Sequence, residues 1–253
     1  MSSARAAAAF DRGYAAIAAS ARHGELFSRA LGLPPEVAAN SFLTAEALDD
    51  IAEALGVGAG DRLADLGCGR GGPGLWLARR LGAALDGVDF SAVAVWQAGE
   101  RAQGFGLADR SSFRVGDLCD TGLPSGRAGA AVCVDAFHFA ADHDAEAAEA
   151  WRILRPGGRY VLTNWEPVAA DDARVPPPLR LDFARILTAA GFRAVTVSKR
   201  PDLEAAQRAL FAAVLATEPG DDPAIRALRA EAAAVDGWAG LMRRVLVVAE
   251  KPA

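Results

Sequence analysis

Short apolar, β-rich runs separated by helix-length segments constrain this chain more than any other feature. Arg62 to Leu66, Ala84 to Val88, Ser112 to Val115 and Ala130 to Val134 alternate with helical patterns, and a fifth run, Arg159 to Thr163, follows the turn "RPGG". Parallel neighbours need long crossovers, usually helices, so the alternation predicts βαβ units and a parallel sheet. A sixth strand is expected in "FRAVTVS" and a last one in "RRVLVVAE".

The segments around this core read as helices. Residues 4 to 56 hold "ARAAAAFDRGYAAIAASA", "ELFSRAL" and "TAEALDDIAEAL", with Thr44 placed to cap the last of them, and no strand pattern. "PPPLRLDFARILTAAGF" is expected to be a helix entered from prolines and ended by Gly191. "DLEAAQRALFAAVLATE" and "DPAIRALRAEAAAVDGW" read as two further helices before the last strand. One domain is expected over 1–253, with a helical cap at 1–58, a cofactor-binding core at 59–200, a helical lid insertion at 201–240 and the last strand at 241–253.

Between the first strand and the first core helix lies "LADLGCGRGGPGLWLARRLGA", with Gly67, Gly69 and Gly72 at the spacing G-x-G-x-x-G. A glycine turn that feeds a helix N-terminus presents unpaired N–H groups and partial positive charge, so it suits an anionic or hydrogen-bond-accepting ligand. Asp65, at the end of strand one, would aim a negative charge into that approach. This is awkward for a pyrophosphate and suits a ligand carrying an ammonium or sulfonium. Asp89, at the tip of strand two about twenty residues past Gly69, can accept both ribose hydroxyls of any adenosine ligand without a 2′-phosphate. The residues thus indicate adenosine and do not by themselves say which adenosine compound.

Composition narrows the classes further. Hydrophobic content of 52% with 23% charged residues is that of a globular chain, and a net charge of −5 argues against a nucleic-acid backbone as partner. Neither a signal peptide nor a membrane-crossing run is recognisable, so a cytoplasmic protein without a membrane partner is expected. Cys68, Cys119 and Cys133 form no C-x-x-C pair, and no disulfide framework or zinc site is expected.

"DLGCGRG", "GVDFS", "VGDLCDTGLP", "VCVDAFHFAADHD" and "ILRPGGRYVLTNWE" occur in an order and spacing that resembles class I S-adenosylmethionine-dependent methyltransferases, over roughly residues 60 to 200. The wording "GCGRGGPGLWLA" is similar to small-molecule methyltransferases of actinobacterial secondary metabolism, among them enzymes of antibiotic biosynthesis. The resemblance implies an α/β fold with a doubly wound, mostly parallel seven-stranded sheet and an antiparallel last strand. S-adenosyl-L-methionine would be the cofactor and a small, largely apolar metabolite the acceptor, with a homodimer admitted. Gly67, Cys68 and Gly69 would pass the methionine part and Asp65 would lie near its amino group. Asp89 would take the ribose hydroxyls, Phe90 would cover the adenine, Asp117 and Leu118 would meet its edge, and Asp135 would lie near the methionine moiety and the transferring methyl.

The chain departs from the family's nucleic-acid and amide-nitrogen branches, which carry N-P-P-Y or D-P-P-Y after strand four where this chain has "DAFHF". No His, Asp and Glu cluster at metal spacing is present, so no metal is expected. For the chemistry, His138, three residues past Asp135, is the candidate general base, and Glu166 after strand five is the candidate to orient it or meet substrate. Tyr14, Phe42 and Trp165 are candidate pocket walls. Two other classes share part of the pattern: a fold relative that binds the cofactor and catalyses another reaction, and a nicotinamide oxidoreductase. Oxygen, nitrogen and carbon remain open as the accepting atom.

Overall fold

A run of small residues, "AGAAVCV", forms the strand β4 (Ala128–Val134), and every residue in it is buried. Small side chains let helices approach the centre of the sheet from both faces, as the interior of a doubly wound fold demands. The computed structural model describes residues 3–38, 40–169, 172–236 and 240–253. On one side of β4 lies β1 (Arg62–Leu66), then β2 (Ala84–Asp89) and β3 (Ser111–Val115), all parallel. On the other side lies the parallel β5 (Leu154–Pro167), then β7 (Met242–Glu250), antiparallel to both β5 and the edge strand β6 (Arg193–Lys199). The order β3-β2-β1-β4-β5-β7-β6 is the doubly wound seven-stranded sheet with an antiparallel last strand that the sequence reading anticipates.

Strand alternation divides the core between the two faces. Leu63, Ala130, Val132 and Val134 pack with helices α2 (Ala21–Leu31), α3 (Ala45–Leu55), α4 (Gly72–Leu81) and α8 (Pro201–Leu215), whereas Ala64, Leu66, Ala131 and Cys133 face α6 (His143–Ile153) and α7 (Phe183–Ala189). Helix α3 shows why these helices stay docked. Thr44 caps it by accepting from the Ala47 N–H, Gly56 ends it in the left-handed region, and Leu48, Ile51 and Leu55 form its buried stripe. Each such side chain contributes about 1.5–3 kcal/mol by leaving water, and Ile51→Ala is expected to cost about 2–5 kcal/mol.

Two expected boundaries shift. "RPGG" lies inside β5, because Gly157 takes a φ of 73° and the pairing jumps from Ala128↔Leu154 to Ala130↔Arg159. This bulge absorbs the turn without ending the strand. The helix expected from Pro176 onward starts only at Phe183, where Asp182 accepts from the Arg185 N–H; the prolines before it hold a short 3-10 turn, Pro177–Leu179. Of the last expected helix, α9 covers Pro223–Asp236, Asp222 precedes it and accepts from the Ala224 and Ile225 N–H groups, and Gly237 and Trp238 lie outside the described residues.

Helix α1 (Ser3–Ala19) completes the cover over the carboxyl edge. Its Asp11 accepts from the Ser91 hydroxyl at 2.5 Å and the Val93 N–H at 3.2 Å, at the N-terminus of α5 (Ala92–Ala102). The α1–α2 turn is tied to α9 by the Ser20 hydroxyl, which donates to Asp222 at 2.6 Å. The helices before the sheet and those between β6 and β7 thereby meet above one edge. Among the described residues, no helix is long and apolar enough to cross a membrane.

Candidate active site

The parallel strands end together at this edge, and β7, running the other way, begins there. A cleft of about 500 Å³ follows the edge. In β1, Leu63 and Asp65 point to the same face, and the strand delivers Asp65 to the floor of the cleft. Its Oδ2 is buried with no hydrogen-bond partner. Burial, and then repulsion from Asp89, raises the carboxyl to about 7. Helix α4 makes room for it: a Cβ at Gly74 would stand 2.1 Å from the Asp65 Oδ2. A buried carboxylate oxygen with no partner is costly unless a cationic donor reaches it.

Asp89, at the end of β2, accepts from the Gly69 N–H and the Ser91 N–H, both at 2.8 Å. These bonds hold the carboxylate in one orientation and use two of its roughly four acceptor sites, leaving capacity for a vicinal diol. Burial nonetheless raises its pKa. Phe10 of α1 packs edge-on against Phe90 at 4.9 Å and Phe139 at 5.1 Å, and all three rings line the cleft. Tyr14, one turn further along α1, lies over the glycine loop, its hydroxyl oxygen 2.9 Å from where a Gly69 Cβ would stand.

The third glycine of the motif has a different task. A Cβ on Gly72, at the first turn of α4, would meet the Val37 carbonyl oxygen at 1.8 Å. Arg101 holds this covering segment by donating to the Glu36 and Val37 carbonyls at 2.6 and 2.9 Å, and to the Arg70 carbonyl at 2.6 Å. The start of α4 is therefore covered by the chain's own backbone carbonyl. Gly72 is thus required by the packing of residues 36–37 on α4, while Gly69, Arg70, Gly72 and Pro73 still border the cleft.

The other half of the cleft is built from residues distant in sequence. Asp135 takes a positive φ of 52° after β4, and its carboxylate accepts from the Arg244 guanidinium at 2.5 Å, the Thr163 hydroxyl at 2.9 Å and the Phe42 N–H at 3.0 Å. Arg244 is fully buried beside the Trp165 ring, 5.3 Å from its centroid. His138 sits in a short 3-10 turn, Phe137–Phe139, with its Nδ1 3.1 Å from the Asn164 Oδ1. That oxygen also accepts from the Trp165 N–H at 2.7 Å, so it is an acceptor and the Nδ1 of His138 must be the donor. The imidazole thus keeps Nε2 as a free acceptor. Burial lowers its pKa, which favours the neutral ring. Glu231 of α9 also projects into the cleft where solvent reaches it; crowding by the protein, then the charge of Asp135, raises its carboxyl to about 6.

Of the residues singled out from sequence, Asp65, Gly67, Cys68, Gly69, Asp89, Phe90, Leu118, Asp135 and His138 line the cleft together, with Tyr14, Phe42 and Trp165 as walls. Two stand apart. Asp117 is exposed and its carboxylate closes a turn on the Cys119 N–H at 2.8 Å, while its neighbours Gly116 and Leu118 line the cleft in its place. Glu166 requires a correction: it is a residue of β5, opposite Arg243 of β7, and its carboxylate is held by the Arg243 guanidinium at 2.6 and 3.0 Å. Asn164, not Glu166, contacts His138. Asn164, Gln207, Glu231, Arg244 and Phe10 escaped the sequence reading. The signal that could have found Gln207 is its place as a polar residue at the spacing of the apolar stripe of α8.

Comparison with known proteins agrees with this geometry. Residues 63–158, from β1 into β5, match the family described as methyltransferase domain. Among curated proteins it is 33% identical over 116 residues to methyltransferase GfsG of Streptomyces halstedii, covering 46% of this chain and 42% of that protein. It is 37% identical over 113 residues to a geranyl diphosphate 2-C-methyltransferase of Streptomyces lasalocidi, covering 44% and 37%. The chain thus spans less than half the length of these relatives. Among solved structures, the [4+2]-cyclase SpnF superposes with a TM-score of 0.69 at 26% identity, covering 82% of this chain and 80% of that one. The geranyl diphosphate C-methyltransferase of Streptomyces coelicolor A3(2) superposes with a TM-score of 0.64 at 22% identity, covering 88% and 87%, and so shares the fold.

Proposed function

We propose that the protein transfers a methyl group from S-adenosyl-L-methionine to a small, largely apolar metabolite, in the biosynthesis of a natural product. The observation that carries this reading is the pairing, in one cleft, of the partnerless buried Asp65 oxygen with the anchored Asp89 carboxylate. Asp65 would hold the ammonium of the methionine part, Asp89 the ribose hydroxyls, and Phe90 with Leu118 the adenine. When bound, the cofactor supplies a methyl group on a positively charged sulfur.

The chain's own residues do the rest. Helix α1, docked through Asp11, covers the cleft and excludes water, which strengthens each electrostatic contact inside. His138, fixed by Asn164 with Nε2 free, accepts the proton that a hydroxyl acceptor must lose. Asp135 is spent on Arg244, Thr163 and Phe42, so it shapes the acceptor end and is not a free base. The charged cleft residues Asp65, Asp89, Asp135 and Glu231 outnumber Arg70 and Arg244, and this balance favours an acceptor without a diphosphate. The same reading takes the protein to be cytoplasmic, with a homodimer to be tested by light scattering.

A second reading, a fold relative that holds the cofactor and catalyses another reaction, is favoured by the likeness to the [4+2]-cyclase at 26% identity. One experiment addresses both. Calorimetry should show S-adenosylmethionine and S-adenosylhomocysteine binding and NAD not binding, and each bound ligand should add about 2.7 kcal/mol of stability at a hundredfold excess over Kd. Binding of NAD alone refutes the assignment. Incubation with methyl-labelled cofactor and a panel of apolar natural-product precursors then separates the two readings, since only methyl transfer moves the label.

A further inference from the structure

Helix α8 buries Leu203, Gln207, Leu210, Phe211 and Val214, and Gln207 is the polar member of that face. The residues 203, 207, 210 and 214 follow the spacing of a single helical stripe, so the fold places this amide where packing alone would call for leucine. Gln207 is 2% exposed, and neither its amide oxygen nor its amide nitrogen has a hydrogen-bond partner. A buried amide that loses its hydration and gains no partner destabilises the protein. Its retention calls for a partner that arrives from outside.

The surroundings say from where. Gln207 lines the cleft that holds Asp65 and His138, and it also lines a second cavity of about 350 Å³ between α8 and α9. Trp165, Val235 and Met242 are shared between the two spaces in the same way. Beyond this shared wall the second cavity is bordered by Phe211, Ala212, Leu215 and Ala232, a mainly apolar lining, with Glu204 and Arg208, 3.7 Å apart as an ion pair, also at its border. A molecule that occupied both spaces would cross this shared wall and lie against the amide. A glutamine amide offers N–H donors and a carbonyl acceptor together, so its complement is a group that also presents one of each, such as an amide or a hydroxyl beside a carbonyl.

We propose, resting on the methyl-transfer reading, that Gln207 selects the acceptor: an elongated, largely apolar molecule with an internal donor–acceptor pair at Gln207, its reacting end beside His138 and its apolar tail between α8 and α9. A site built to hydrogen-bond such a group rejects an analogue lacking it, because the protein amide is then left unpaired. The apolar walls admit tails of varied shape, while the amide sets the position of the polar group along the molecule.

N-butyloctanamide, with apolar arms on both sides of an amide, is the probe, and butyl octanoate is its counterpart without an N–H. Both are titrated by NMR into the free protein and into protein saturated with S-adenosylhomocysteine. Wild type is expected to bind the amide more tightly than the ester, and Gln207→Leu to weaken amide binding about tenfold or more and ester binding by less, since the ester carbonyl uses only the glutamine N–H. Gln207→Glu keeps the shape, loses the N–H donors, and should weaken the amide in the same direction if the leucine variant fails to fold. Ala212→Trp, which fills the second cavity, should also weaken the amide. Failure of wild type to bind the amide, or equal affinity in wild type and the Gln207 variants, overturns the proposal. Failure of S-adenosylhomocysteine to bind wild type overturns the methyl-transfer reading instead, and the titration of the free protein shows that separately.

Discussion

At the β1–β2 end of the cleft, Gly69 donates to an Asp89 that is 20 residues away, and the two are joined by one helix and one strand. At the β4–β5–β7 end, Arg244 donates to an Asp135 that is 109 residues away, and Thr163 and Phe42 reach the same carboxylate from two further elements. The first end is held by a local turn and by backbone N–H groups, which do not depend on side chains elsewhere. The second is assembled from side chains on elements that meet only in the folded sheet. A scaffold of this kind can keep one ligand constant at its local end while substitutions at the other end change the second ligand. The mainly apolar cavity beside Gln207 belongs to the changeable end.

Breaking the second end should therefore abolish chemistry without loosening the cofactor. His138→Ala is expected to lower turnover by about a hundred to ten thousandfold, with S-adenosylhomocysteine affinity by calorimetry nearly unchanged. Because burial lowers the His138 pKa, the neutral ring persists to lower pH than in a free histidine. The wild-type rate should then rise with pH through a step below 6.5, the ordinary histidine value, and His138→Ala should lose the step. Asn164→Leu removes the partner that fixes the ring and should shift that step.

Breaking the first end should do the opposite. Asp65→Asn is expected to weaken S-adenosylhomocysteine by about a hundredfold or more, since it leaves the ligand's ammonium without its buried partner. The free variant should melt no lower than wild type, because it lacks the desolvated charge. The sign of the pH effect follows from the raised carboxyl: below about 7 Asp65 holds a proton in the free protein, and binding an ammonium must expel it. Wild-type affinity should fall as pH drops through about 7, by up to about tenfold per unit, and Asp65→Asn should show no such fall. A flat profile in wild type would place the ammonium elsewhere. Asp89→Ala should cost about ten to a hundredfold in the same calorimetry, through the lost ribose contacts.

The smallest effect sharpens the boundary between the ends. Glu166→Gln disturbs an ion pair with Arg243 outside the cleft, and Arg243 is 29% exposed, so about 1 kcal/mol of stability is expected to be lost. Turnover and cofactor affinity should stay at wild-type level. A large loss of turnover in this variant, measured beside His138→Ala, would return Glu166 to the catalytic group.

Legibility in the sequence follows the same division. The strand and helix alternation, the glycine turn, Asp65 and Asp89 were readable because each depends on neighbours in the chain. Asp65 raised the objection to pyrophosphate from sequence alone, and the structure adds that its buried Oδ2 has no partner in the cleft. The role expected of Glu166 went instead to Asn164, two residues earlier in β5. Strand alternation gives Asn164 and Glu166 the same face of β5, and what separates them is their partners: Arg243, across from Glu166 in β7, holds the glutamate, while His138 meets Asn164, and neither contact is visible without the pairing of β5 with β7 and the turn after β4.

The sequence by itself determined the sheet, its order of helices and strands, and the local half of the cleft, because periodicity and turn chemistry act over a few residues. The tertiary structure alone decided which side chains complete the acceptor half. Register in β7 sets Arg244 against Asp135, the bend after β4 brings His138 to Asn164, and the packing of α8 against α2 and α9 leaves Gln207 facing two cavities. Such contacts depend on the relative placement of whole elements, which no short-range propensity encodes.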